Sequence, residues 1–142
     1  NLFKNFRNKI IGFIGISSAP EFTEKIFWKK FSKKVKKIIF KKKIYYLKND
    51  YEKPYPITKN LIIDGRKNKI LNKKIDTKIP VILFHSLKDK MVPLNFSKKV
   101  FKLFKNSNKK IIKIKDGNHS LSRKRDLRRI CFELRKMIAN IA

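Results

Sequence analysis

The chain has 142 residues with 39 Lys and Arg against 10 Asp and Glu, a net charge of +29. This length suits one modest domain, not two. A single cysteine, Cys131, excludes an internal disulfide, two histidines and one cysteine make no zinc ligand set, and no apolar run approaches the roughly 18 residues that cross a bilayer.

In chain order, Ile10 to Ile16 (IIGFIGI) is short, continuously apolar and closed by Ser17, Ser18, Ala19 and Pro20, which predicts a strand buried on both faces. The stretch from Glu21 to Lys78 shows short helical patterns instead, around Glu24 to Phe31 and from Thr58 to Asp64, and reads as an inserted cap over residues 21–78. Within it, Lys29 to Lys43 interleaves lysines with Phe31, Val35, Ile38, Ile39 and Phe40. The expected arrangement is an amphipathic helix with its apolar stripe on the core and its lysines in water; an interfacial membrane helix is the alternative.

Ile79 to His85 (IPVILFH) predicts a second buried strand, opened by Pro80, where a missing N–H is tolerated. Val100, Phe101, Leu103 and Phe104 recur at helical spacing and predict a crossover helix over 96–105. Lys109 to Lys115 alternates and ends at the turn signal Asp116-Gly117, which predicts an edge strand. Finally Leu127, Ile130, Cys131, Leu134, Met137, Ile138 and Ile141 share one face of a terminal helix, with Ser122 as its expected N-cap. Strands alternating with helices in this way predict a parallel α/β sheet.

The charge would ordinarily suggest nucleic acid or an anionic membrane as partner. Here the excess is mostly lysine, spread along the whole chain, and accompanied by abundant Ile, Asn and Phe, all with AT-rich codons. Solvated lysines are therefore expected and a nucleic-acid partner is not. The start at Asn1, with an apolar run close behind, reads as a truncation; without a signal-peptide pattern, a soluble cytoplasmic protein is expected.

Ligand sites of open parallel sheets lie beyond the carboxyl ends of the strands. Two turns there carry chemistry: His85-Ser86-Leu87-Lys88-Asp89-Lys90-Met91-Val92-Pro93 after the second strand, and Asp116-Gly117-Asn118-His119-Ser120 after the third. One offers a carboxylate and the other an imidazole, the pair with which a Ser-His-acid hydrolase fixes and uses its base. Asp89 could instead cap the helix near Pro93. His85, ending an apolar strand, reads as a satisfied core histidine, and Asp116 as a turn residue.

These motifs, in this order, resemble the C-terminal half of an α/β-hydrolase, whose acid sits in an H-G-x-x-D-x-x-V-P-like turn and whose base sits in a G-x-H turn. The resemblance covers nearly the whole chain. Ser18-Ala19-Pro20-Glu21-Phe22-Thr23, Pro56-Ile57-Thr58, Asp64-Gly65-Arg66 and Asp116-Gly117-Asn118-His119 make it similar to a bacterial branch related to mitochondrial acyl-protein thioesterases. It implies a serine hydrolase acting on small-molecule or acyl-protein esters and thioesters, without cofactor or metal. Asp89 would be the acid, His119 the base, and Ser17 and Ser18 would line the acyl pocket. Ser86 departs from the family's glycine and Lys90 from a common proline. No G-x-S-x-G elbow occurs in the sequence, and neither Ser17 nor Ser18, followed by Ala19-Pro20, has the glycine flanks of a nucleophile.

Overall fold

A computed structural model describes residues 5–6, 9–48 and 53–140. The chain forms two compact units, one joining the segment up to Ala19 with everything from Leu71 onward, the other running from Pro20 to Ile70.

The first unit is built on a parallel three-stranded sheet in the order β1 (Phe13–Ile16), β5 (Val81–Ser86), β7 (Lys109–Ile114). Every residue of β5 is buried, because the strand has a neighbour on each side and a helical layer over each face. Its pleat sends successive side chains to opposite faces. Val81 and Leu83 meet Val100 and Leu103 of helix α4 (Asn95–Leu103), while Ile82 and Phe84 meet Leu121 and Met137, the latter on helix α5 (Lys124–Ala139). Burying each such side chain contributes about 1.5–3 kcal/mol, so this strand is the core of the unit. A two-residue parallel pair, β4 (Ile75–Asp76) with β6 (Phe104–Lys105), completes the described strands here.

The outer strands differ from the central one. β1 covers only the second half of the predicted Ile10–Ile16 run, and it is half-buried: Ile16 is exposed, as is Ile11 ahead of the strand. Among the described strands it pairs with β5 alone, so one edge has no ladder. β7 holds the opposite edge, as its alternating lysines suggest.

Helix α5 corrects two sequence expectations. Its N-cap is Arg123, not Ser122: Arg123 has an extended backbone without a side-chain cap, and its guanidinium binds Asp126 in the first turn at 2.6 and 3.0 Å. Ser122 is engaged with Asn118 through both its N–H and its hydroxyl. The predicted apolar face is also only partly used. Ile130 and Met137 pack on the sheet, whereas Leu127, Cys131, Leu134 and Ile138 are exposed, and Ile141 lies outside the described residues. The helix is turned so that Asp126 and Glu133 are buried, and each acid is matched by cations: Arg123 for the first, Lys110 and Arg129 for the second. Those ion pairs, headed by the Lys110 hydrogen bond, hold the Glu133 carboxyl below the ordinary glutamate pKa.

The second unit contains a π-wound helix α1 (Thr23–Trp28), helix α2 (Lys33–Lys42), an antiparallel hairpin of β2 (Ile44–Leu47) with β3 (Tyr55–Thr58), and helix α3 (Lys59–Lys67). Ser32 and Thr58 cap α2 and α3 by accepting the N–H of Val35 and Leu61. Ile39, Ile57 and Ile62 are fully buried at its centre, with Phe27, Trp28, Phe31 and Val35 around them. Val35 and Ile39 of α2 thus face this core, whereas Phe40 is exposed and Ile38 lies among the lysines of the other surface. The hairpin had no counterpart in the sequence reading.

Candidate active site

Three segments leave the carboxyl edge of the sheet side by side. Ser17 follows β1, and its N–H donates to Phe84 O at 2.9 Å, one rung beyond the strand pairing. Leu87 N–H donates to Ile114 O at 2.8 Å in the same way between β5 and β7. The turns bearing Asp89 and His119, 30 residues apart in sequence, are therefore brought together by two strands in register.

His119 Nδ1 lies 2.8 Å from Asp89 Oδ2. A carboxylate only accepts, so Nδ1 carries the hydrogen, and in the neutral ring Nε2 keeps its lone pair. No described residue hydrogen-bonds Nε2, and the His119 side chain is 43% exposed against 1% for Asp89. The arrangement is a shielded acid behind a base that faces open space. The other carboxylate oxygen, Oδ1, accepts the N–H groups of Met91 and Val92 at 2.9 Å each. Burial pulls the Asp89 pKa upward, but the Val92 N–H, the His119 ring and the Met91 N–H together outweigh it and hold the carboxyl below the ordinary aspartate value. Asp89 does not cap α4, which begins at Asn95.

Asp116 is turned away, bound to Arg125 and near Arg123, and the Arg125 guanidinium is the main cause of its lowered pKa. His85 is fully buried and bonded at both ring nitrogens.

The two serines differ. Ser17 Oγ donates to the backbone carbonyl of His119 at 2.7 Å, and Ser17 is buried with a left-handed backbone, φ 43°. Its hydroxyl binds the peptide of the histidine and not its ring. Ser18, half-buried, folds its hydroxyl back over β1, where a Cβ added to Gly15 would come within 2.5 Å of it.

Ser86 is a residue whose role the sequence did not disclose. Strand alternation points it to the face opposite His85. There its buried hydroxyl donates to Gly117 O at 2.5 Å and accepts from Lys88 N–H at 3.1 Å, tying the acid turn to the histidine turn. The departure from glycine thus adds a tether. Ser86→Ala leaves a buried carbonyl without its donor and is expected to cost about 1–3 kcal/mol, read by chemical denaturation; an unchanged midpoint would show that the tether carries no stability.

No protein-family model and no curated protein matches the sequence. Solved structures do match. A provisionally named hydrolase from Agrobacterium vitis S4 superposes with a TM-score of 0.88 over 96% of this chain, at 23% identity. The mouse alpha/beta hydrolase domain-containing protein 10 does so with a TM-score of 0.81 over 96%, at 22% identity. This chain has the fold of the C-terminal part of an α/β-hydrolase. It spans 55% of the length of each of these structures. Asp89 and His119 stand just beyond the carboxyl ends of β5 and β7. Among the described residues no cluster of His, Cys, Asp or Glu could hold a metal, and no helix is long and apolar enough to cross a membrane.

Proposed function

We propose that this chain supplies the acid and the base of a serine hydrolase acting on carboxylic esters or acyl thioesters. The observation that carries the reading is the 2.8 Å contact between buried Asp89 and His119, with the second ring nitrogen open. His119 Nε2 takes the proton of a serine hydroxyl as that oxygen attacks the acyl carbon, and returns it to the departing alcohol or thiol. A water then repeats the cycle on the acyl-enzyme. Asp89 keeps the ring in the required tautomer and stabilises the imidazolium that forms. The serine comes from an elbow outside this sequence, on a strand added beside β1. Ser17 and Ser18 line the pocket of the acyl group. No cofactor takes part.

The test is turnover of a nitrophenyl ester by the protein carrying its upstream half. His119→Ala is expected to lower kcat/KM by at least about 10³-fold, while the 142-residue chain by itself is expected to show no turnover. Equal turnover by wild type and His119→Ala would sink the reading.

A second reading is non-catalytic binding of a polyanion or an anionic membrane surface. It is favoured by the row Lys33, Lys34, Lys37, Lys41 and Lys42, which surrounds Ile38 on one surface of α2. Salt-sensitive binding by a protein without hydrolysis would support it.

A further inference from the structure

The turn between Leu87 and Val92 carries the acid, yet most of it faces water: Leu87, Lys88, Lys90 and Met91 are all exposed. Such a turn keeps a carboxylate aimed within a few tenths of an ångström only if something in the core grips it. His85 has the geometry to do so. It is the penultimate residue of β5, on the Val81 and Leu83 face, with no exposed surface, and looks toward α4. Its Nε2 lies 3.0 Å from Val92 O and its Nδ1 lies 2.8 Å from Ser97 Oγ, itself fully buried on α4. A carbonyl only accepts, so Nε2 bears a hydrogen; in the neutral ring Nδ1 then accepts, and the Ser97 hydroxyl donates. Every hydrogen in this chain has one place to go.

Val92 is gripped on both sides. Its carbonyl takes the His85 hydrogen, while its N–H donates to Asp89 Oδ1 at 2.9 Å. His85 Nε2 lies 3.9 Å from Asp89 Oδ2, too far for a hydrogen bond, so the ring reaches the acid through the Val92 backbone. With Oδ1 held there, Oδ2 is the oxygen left for His119.

We propose that His85, its tautomer set by Ser97, is a positioning residue that orients the Asp89 carboxylate through Val92 and so fixes which nitrogen of His119 carries the proton. Its meaning for catalysis rests on the hydrolase reading above; the coupling itself does not, and it is measured without any substrate.

The experiment is NMR on protein labelled at histidine and aspartate, in which His85 and His119 are the two histidines of the chain. Ring ¹⁵N shifts report the His119 tautomer, and the side-chain ¹³C shift reports the Asp89 titration. Wild type is expected to show His119 protonated at Nδ1 and Asp89 titrating below the ordinary value. His85→Leu fills the space without a donor, and is expected to raise the Asp89 titration above that of wild type and to make the Nδ1–H form of His119 a minor one. His85→Gln, whose amide nitrogen stands as many bonds from Cβ as Nε2, is expected to restore both signals. Ser97→Ala should move both in the same direction as His85→Leu, by less. Unchanged signals in folded His85→Leu would overturn the proposal, as would failure of His85→Gln to rescue a folded His85→Leu. Should His85→Leu not fold, unchanged signals in Ser97→Ala overturn it instead. Loss of hydrolysis with the coupling intact would remove the hydrolase reading and leave the clamp standing.

Discussion

On the proposed hydrolase reading, Asp89→Asn is expected to lower kcat of the protein carrying its upstream half by about 10⁴-fold while leaving it folded. The reason is specific to the hydrogen bonds around this side chain. Oδ1 is held by two backbone donors, the N–H groups of Met91 and Val92. An asparagine can satisfy those donors only with its carbonyl oxygen, which turns its NH₂ group toward His119 Nδ1. Two donors cannot share that contact, so the ring must present Nδ1 as an acceptor and carry its hydrogen on Nε2. The nitrogen that should take the serine proton is then already protonated. Ring ¹⁵N shifts of His119 would show the exchange of tautomers, and the kinetic loss should fall on kcat with KM little changed. Full activity in Asp89→Asn, with the tautomer exchanged, would mean that His119 is not the base.

Leu121→Ala is expected to cost about 2–5 kcal/mol, a large part of the roughly 5–15 kcal/mol that holds a domain of this kind folded. Leu121 is fully buried beneath the His119 turn and packs with Ile82, Phe84 and Met137. It also sits at φ 48°, a backbone conformation that costs an alanine much the same as a leucine, so the substitution removes packing without relieving strain. The turn has little to replace it. Leu121 N–H closes the turn on Asn118 O at 3.2 Å, and a Cβ on Gly117 would run into the leucine side chain, so Gly117 and Leu121 are fitted to one another. Urea denaturation gives the loss directly. A change below about 1 kcal/mol would show that the turn collapses onto the vacated space without penalty.

What the sequence determined by itself is the part of the fold written in local chemistry. The unbroken apolar run after Pro80 marks a strand with neighbours on both sides, and β5 is that strand. The helical recurrence around Val100 marks the crossover, and the strand-turn position of Asp89 and His119 marks two groups that one parallel sheet must bring to the same edge. Their 2.8 Å contact follows from register that the strands themselves impose.

What only the tertiary structure decided depends on partners far along the chain. The hairpin of Ile44–Leu47 with Tyr55–Thr58 escaped notice because both strands are four residues long and one contains Pro56, so neither shows a pattern until it is paired. Periodicity located the apolar stripe of α5 but not the rotation of the helix about its axis. That rotation buries Glu133, and Lys110, 23 residues earlier on β7, meets its carboxylate. The same holds at the site. Ser86 departs from the family's glycine, but its bond to Gly117 O exists only in the fold, and His85, a satisfied core residue, meets Ser97 and Val92 O only there. Strand and helix propensities act over a few residues, whereas a hydrogen bond or ion pair between distant segments exists only once packing has set their distance.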